Sequence, residues 1–221
     1  MANKIRTPSI LFSFKEISEL HHQLIQSFIS LNFNVILACG KESLERNIVL
    51  FQNSYESNSA KIYECDFEDE LSVKQFQNVL FENHYPLDIV FTDFSQEKII
   101  SKSSFEVLKN SIEAGLQDYF HLLKCAVPLM NSNKSFFYHF LKTEDYYKEN
   151  EGIQIFSKIA AAYIFEIIKN DNSVSSIEFS ELNGSLFYEK EFLEQMSLHA
   201  SNSLGRLHDF LKKNATVEYG K

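Results

Sequence analysis

Short apolar runs alternate along this chain with longer stretches of helical periodicity, and few folds satisfy that alternation. Ser9 to Ser13 (SILFS) reads as a buried strand. Ile17, Leu20, Leu24, Ile25, Phe28 and Ile29 then recur at helical spacing. Asn34 to Cys39 (NVILAC) is a second strand, closed by Gly40. Lys61 to Cys65 is a third, followed by Asp66 and an acidic turn. Leu71 to Phe81 is helical, and Leu87 to Phe91 is a fourth strand behind Pro86. A long helix is expected from Ser104 to Met130, and a fifth strand from Ser135 to Leu141 (SFFYHFL). Gly152 to Asn170 is a helix, Val174 to Ser180 a sixth strand, and helical stretches near 190–200 and 203–213 complete the chain. Strands separated by helices form parallel βαβ units with right-handed crossovers. The expected class is therefore α/β: a three-layer, doubly wound parallel sheet of about six strands, with helices on both faces and one domain over 1–221. Ligands of such folds sit beyond the carboxyl ends of the strands, near the topological switch point.

Composition narrows what could bind there. Only six glycines occur in 221 residues. Gly40, Gly115, Gly152, Gly184, Gly205 and Gly220 stand too far apart for either glycine-rich phosphate motif, GxGxxG or GxxxxGK[ST]. The net charge of −9 argues against a nucleic-acid or anionic-membrane surface. Cys39, Cys65 and Cys125 are odd in number and widely spaced, which suits a reducing cytoplasm and neither a disulfide framework nor a zinc site. No signal peptide is read at the N-terminus. The longest apolar stretch, Ile155 to Ile168, is interrupted by Ser157, Lys158 and Glu166, so no membrane span is expected and the cytoplasm is the expected location.

Element order and specific stretches resemble the short-chain dehydrogenase/reductase family, within the Rossmann-type dinucleotide folds. SFISLNFNVILACGKESL (Ser27 to Leu44) resembles its first helix, second strand and following loop. YECDFEDELSVKQF (Tyr63 to Phe76) is similar to the segment whose Asp, here Asp66, closes over the adenine. PLDIVF (Pro86 to Phe91), LLKCAVPLM (Leu122 to Met130) and SKIAAAYIFEIIK (Ser157 to Lys169) resemble the fourth strand, the end of the central helix and the helix that carries Tyr-x-x-x-Lys. The resemblance covers about residues 7 to 220.

The same register locates what has changed. The TGxxxGxG turn falls on Phe14, Lys15, Glu19 and His21, so side chains stand at all three glycine positions. Glu19 adds a negative charge where two phosphates would lie, and two unit charges at about 4 Å repel by about 1–4 kcal/mol depending on effective dielectric. Cys39 stands where an acidic residue often takes the ribose hydroxyls, and Thr92, Asp93, Phe94 and Ser95 replace Asn-Asn-Ala-Gly. Asp66, and Gly184 in Leu182-Asn183-Gly184, are what remains of the cofactor signature. In the catalytic set Lys158 matches the family Lys, but the Tyr position is Gln154, the Ser position Leu141 and the Asn position Gly115. Gln154 has no titratable proton to give a carbonyl.

Other arrangements have plain structural readings. Tyr138 and Lys142 spell Tyr-x-x-x-Lys, but on a strand such residues lie about 13 Å apart, against about 5–6 Å on a helix. Asp66 could bind an adenine or cap the next helix. His21 and His22 point about 100° apart on a helix and make a poor metal pair. His139 lies among Phe residues and reads as a satisfied imidazole, and Cys39 and Cys65 as buried thiols ending neighbouring strands. Lys158 could equally be a solvated or ion-paired helix residue.

The resemblance, with these departures, implies a catalytically degenerate short-chain dehydrogenase-like protein that acts through protein–protein contacts, as a scaffold or complex subunit, with no cofactor. Helices 104–130 and 152–170 would carry a protein partner or a second copy of the chain. Two alternatives stay open. One is an NAD(P)-dependent oxidoreductase with relocated residues, in which Lys158 and one of Tyr138, Tyr146 or Tyr147 supply the proton. The other is a binder of another small ligand in a remodelled crevice lined by Phe14, His21, Phe94, Leu141 and Gln154, more apolar than a dinucleotide site. The chain stops at Gly220-Lys221, where the family's seventh strand would begin, so six strands and an uncovered sheet edge are expected.

Overall fold

In a computed structural model, residues 6–14, 17, 19–46, 60–83, 86–93, 117–118, 120–130, 135–141, 177–183, 186 and 189–219 are described. The helix expected over 152–170 and the first part of that over 104–130 lie outside them. Strands β1 (Ser9–Phe14), β2 (Asn34–Cys39), β3 (Ala60–Glu64), β4 (Ile89–Asp93), β5 (Ser135–Leu141), β6 (Ile177–Asn183) and β7 (Ala215–Tyr219) make one sheet in the order 3-2-1-4-5-6-7. The first six are mutually parallel, as the alternation predicts. The described helices are α1 (Glu19–Ser30), α2 (Glu70–Glu82), α3 (Lys190–Asn202) and α4 (Leu204–Lys213), with helical segments over 41–46 and over 117–118 and 120–126, the last ending in the 3-10 turn Val127–Leu129.

The seventh strand corrects the expectation of six. Ala215–Tyr219 pairs antiparallel with β6, Phe179 opposite Tyr219 and Leu182 opposite Ala215, with an irregularity between Glu181 and Leu182. It follows α4 after Asn214 alone, so the chain reverses and runs back along β6. Five residues with no long apolar run carry little strand signal of their own. The unpaired backbone edge of β6 supplies the hydrogen bonds that make them a strand, and that side of β6 is covered.

Every residue of β1 is buried, as a central strand covered on both faces must be. Alternate side chains enter two cores. Ile10, Phe12 and Phe14 face α1 and the C-terminal helices, meeting Leu24, Ile25, Phe28, Met196, Leu207 and Leu211. On the opposite face Leu11 joins Val73, Phe76 and Leu80 of α2, with Leu122, Leu123 and Ala126. Phe12, Phe91 and Tyr138 occupy one register row across β1, β4 and β5. Their rings stack in sequence, with centroids 5.3 Å apart at both steps, and Phe28 of α1 rests on the first two at 5.8 and 5.7 Å.

Local signals set the remaining joints. Asp69 is the N-cap of α2, accepting from the amides of Leu71 and Ser72 at 3.1 and 3.2 Å. The cap is therefore Asp69, three residues beyond Asp66. The chain leaves α1 through Asn32, whose φ of 60° is a left-handed conformation that asparagine tolerates. Buried Asp88 clips the start of β1 to the entry of β4: it accepts from the Ser9 amide at 2.8 Å and from Arg6 Nη2 at 2.6 Å. Among the described residues no helix is long and apolar enough to cross a membrane.

Truncating the centre of the aromatic row removes contacts on both sides at once. Phe91→Ala is expected to lower unfolding free energy by about 3–5 kcal/mol, measured by urea denaturation, whereas Phe81→Ala on the exposed face of α2 should change it by under about 1 kcal/mol.

Candidate functional site

The crevice at the carboxyl ends of β1, β2 and β3 is built from the turns that leave them. At the end of β1, Phe14 lies opposite Cys39 on one side and Asp93 on the other. Its ring, 1% exposed, stacks on the imidazole of His21 with centroids 4.1 Å apart and planes 18° apart. These are the first and last positions of the expected glycine turn. Between them Ile17 is buried, and its amide donates to Ser43 Oγ at 3.0 Å. Glu19, exposed, opens α1, where the helix dipole favours negative charge. The core of the α1 face thus extends to the top of the sheet: Phe14, Ile17 and Cys39 belong to the same cluster as Phe12 and Phe28.

Beside this plug a cavity of about 670 Å³ opens over the ends of β2 and β3, within the usual size for a small-molecule site. Phe14, Cys65 and Phe67 are among its apolar walls, and Ser43, Ser72 and Gln75 add neutral polar groups. Its charged lining is uneven: Glu42, Glu64, Asp66, Glu68, Asp69 and Asp118 against Lys41 and Arg46. Arg46 pairs with Glu42 at 3.1 Å, and Lys41 lies 4.0 Å from Glu45 one helical turn on. A Cβ placed at Gly40 would meet nothing within 4 Å, so this glycine borders open space and holds no tight approach.

Asp66, the adenine-position residue, lines the cavity. Its Oδ1 accepts from the Glu68 amide at 2.9 Å, and its own amide donates to Ser72 Oγ at 2.9 Å. The carboxylate therefore already organises the loop between β3 and α2. Buried Asp118, 4% exposed, lines the same cavity from the helical segment across it. One turn further, His121 Nδ1 lies 2.6 Å from the Phe67 carbonyl. A carbonyl only accepts, so Nδ1 carries the proton.

The other expected site residues are not gathered here. Lys158, Gln154 and Gly115 lie outside the described residues, as do Lys15, Phe94, Ser95, Tyr146, Tyr147 and Gly184. Leu141 is placed by its backbone as the last residue of β5, opposite Asn183. Tyr138 lies away from the strand ends: it is 1% exposed in the middle of β5, with its hydroxyl 2.7 Å from His208 Nδ1. Of the crevice expected around Phe14, His21, Phe94, Leu141 and Gln154, Phe94 and Gln154 lie outside the described residues, and the acid-rich cavity over β2 and β3 is a separate feature. Of that set only Phe14 lines it. Among the described residues no group of three or more His, Cys, Asp or Glu could hold a metal ion.

No protein-family profile and no curated protein matches the chain. Solved structures do. An oxidoreductase of Aeromonas hydrophila assigned to the short-chain dehydrogenase/reductase family is 14% identical, covers 86% of this chain and 91% of its own, and has a TM-score of 0.64. The enoyl-[acyl-carrier-protein] reductase (NADH) of Aquifex aeolicus is also 14% identical, with coverage of 80% and 72% and a TM-score of 0.63. A short-chain dehydrogenase/reductase of Serratia marcescens, 12% identical, covers 95% and 91% with a TM-score of 0.62. The fold is that of the short-chain dehydrogenases/reductases. At these identities the likeness is one of backbone, and the side chains of the crevice are this chain's own.

The short-chain dehydrogenase fold accounts for where the cysteines fall. Cys39 and Cys65 end β2 and follow β3, joined by a 2.9 Å hydrogen bond from the Cys65 amide to the Cys39 carbonyl. All three thiols are unpaired and buried. Burial pushes Cys39 and Cys125 up to about 12 and raises Cys65 as well, with Cys125 adding to the effect. The thiolate is the reactive form. At pH 8 the native protein should therefore leave all three cysteines unlabelled by a thiol-specific reagent over minutes, and denaturant should release all three; rapid native labelling of Cys65 would contradict the burial.

Proposed function

We propose that this chain is a catalytically degenerate protein of the short-chain dehydrogenase fold, acting through binding as a scaffold or complex subunit and not through hydride transfer. The observation that carries the reading is the stacked Phe14–His21 pair. In a dinucleotide site the β1–α1 turn presents bare amides to a pyrophosphate. Here two rings cover that approach, the Ile17 amide is given to Ser43, and Glu19 places a carboxylate at the helix terminus where the phosphates would bring their charge. The acidic cavity alongside adds further repulsion toward a polyanion. By sequence, a proton donor is missing from the catalytic Tyr position, at Gln154.

Titration calorimetry with NADH and with NADPH tests this directly. No binding heat is expected from either up to millimolar concentration, and binding at micromolar affinity would overturn the reading.

One observation favours a second reading, a small-ligand binder. The cavity has ligand size and a charge balance suited to a cationic or neutral polar molecule, not a phosphate. A thermal-shift series with amines, neutral nucleosides and phosphorylated metabolites should stabilise the protein with the first two classes only. Asp66→Asn should reduce any shift seen with an amine, while a shift confined to the phosphorylated compounds would exclude this reading.

A further inference from the structure

A second polar constellation lies on the α1 face, on the far side of the sheet order from the crevice. Tyr138 of β5, His208 of α4 and Glu178 of β6 form a chain. The Tyr138 hydroxyl is 2.7 Å from His208 Nδ1, and His208 Nε2 is 2.9 Å from Glu178 Oε2. Lys212 Nζ lies 3.5 Å from the same carboxylate oxygen. Tyr138 is 1% exposed and His208 8%, whereas the Glu178 side chain is 44% exposed, so the chain runs from the aromatic row of the core to the surface.

The direction of each hydrogen bond follows from its ends. A carboxylate only accepts, so His208 Nε2 donates to Glu178. A neutral imidazole then has Nδ1 as an acceptor, and the Tyr138 hydroxyl donates to it. One added proton reverses this. With both ring nitrogens carrying hydrogen, Nδ1 must donate to the Tyr138 oxygen. The phenol hydrogen then loses its acceptor in a site where water does not reach, which is costly for a buried donor.

We propose that Tyr138, His208 and Glu178 form an acid-sensitive latch that fastens helix α4 to the sheet. The ring of His208 also stacks on Phe136 at 3.9 Å, so the same residue supplies packing and polarity at the joint. Charged and titratable groups reach it from each side. Tyr138 faces it from β5, Glu178 from β6, and Asp209 and Lys212 from its own helix. On α3, packed alongside, His199 stacks against Phe210 at 4.8 Å. Desolvation lowers the His208 pKa below its ordinary value, outweighing the pull of Glu178, with Lys212 acting in the same sense as burial. The sign follows: the folded histidine resists a proton that the unfolded one accepts near pH 6.5. Stability at this joint is full above that pH and is lost progressively as pH falls from it toward the lowered pKa of the folded histidine. A single linked proton changes the equilibrium by at most about tenfold per pH unit.

Hydrogen exchange read by mass spectrometry at about pH 7.5, 6.5 and 5.5, corrected for intrinsic rates, tests the latch in the intact chain. Protection of residues 204–213 should fall several-fold relative to residues 70–82 between the first and last condition. His208→Gln keeps a donor and an acceptor but cannot take the proton, and should hold the ratio constant. Parallel loss of protection in both helices, or an equally acid-sensitive His208→Gln protein, would overturn the proposal. Should that variant not fold, the wild-type ratio and the NMR titration of His208 decide: a midpoint below that of an unfolded histidine supports the latch, and one at or above it refutes it.

Discussion

The stacked row Phe12–Phe91–Tyr138 across the three central strands is the contact on which the rest of the molecule depends. Each ring is buried on a strand that has neighbours on both sides, so its position is fixed by ladder hydrogen bonds as well as by packing. Phe28 lies on two of the rings and sets where α1 crosses the sheet. Tyr138, the last ring, turns a polar end toward α4 and so joins the aromatic row to the C-terminal helix. An apolar face this large must be covered, and α1, α3 and α4 cover it.

The same face explains the altered crevice. Phe14 is two residues beyond Phe12, so it points to the same side of β1, and the α1 core continues through it to the strand ends. A glycine turn would end that core one layer lower and leave amides facing solvent. With Phe14 and His21 stacked, the apolar layer reaches the carboxyl end of β1. The acid-rich cavity lies over β2 and β3, where the loop after β3 is held by Asp66 and Asp69 and the local charge is negative. The apolar layer through Phe14 and the acid-lined cavity thus meet at the ends of the same strands.

Much of this was legible along the chain. His21, at one glycine position of the expected turn, stacks on Phe14 at the end of β1, and Cys39 and Cys65 are buried at strand ends as read. Asp66 was located correctly at the end of β3 but its neighbour Asp69 caps the helix, because capping depends on where the chain enters helical geometry and not on which carboxylate comes first. The crevice expected around Phe14, His21, Phe94, Leu141 and Gln154 lies partly outside the described residues, and the acid-rich cavity beside Phe14 is a feature not foreseen from the sequence. Its lining comes from three connections that converge only when the parallel strands stack their carboxyl ends together.

The sequence by itself determined the order of elements, the double burial of the central strands and the absence of a glycine-lined phosphate turn. Each of these is written in near neighbours: a run such as SILFSF, a helical period, a spacing of glycines. Tertiary structure alone decided the seventh strand, which is a strand because β6 offers it a backbone edge. It also decided the position and charge of the cavity, and the Tyr138–His208–Glu178 chain, whose first two members stand 70 residues apart. Such features rest on contacts between distant segments, and local patterning carries no trace of which distant residue will arrive.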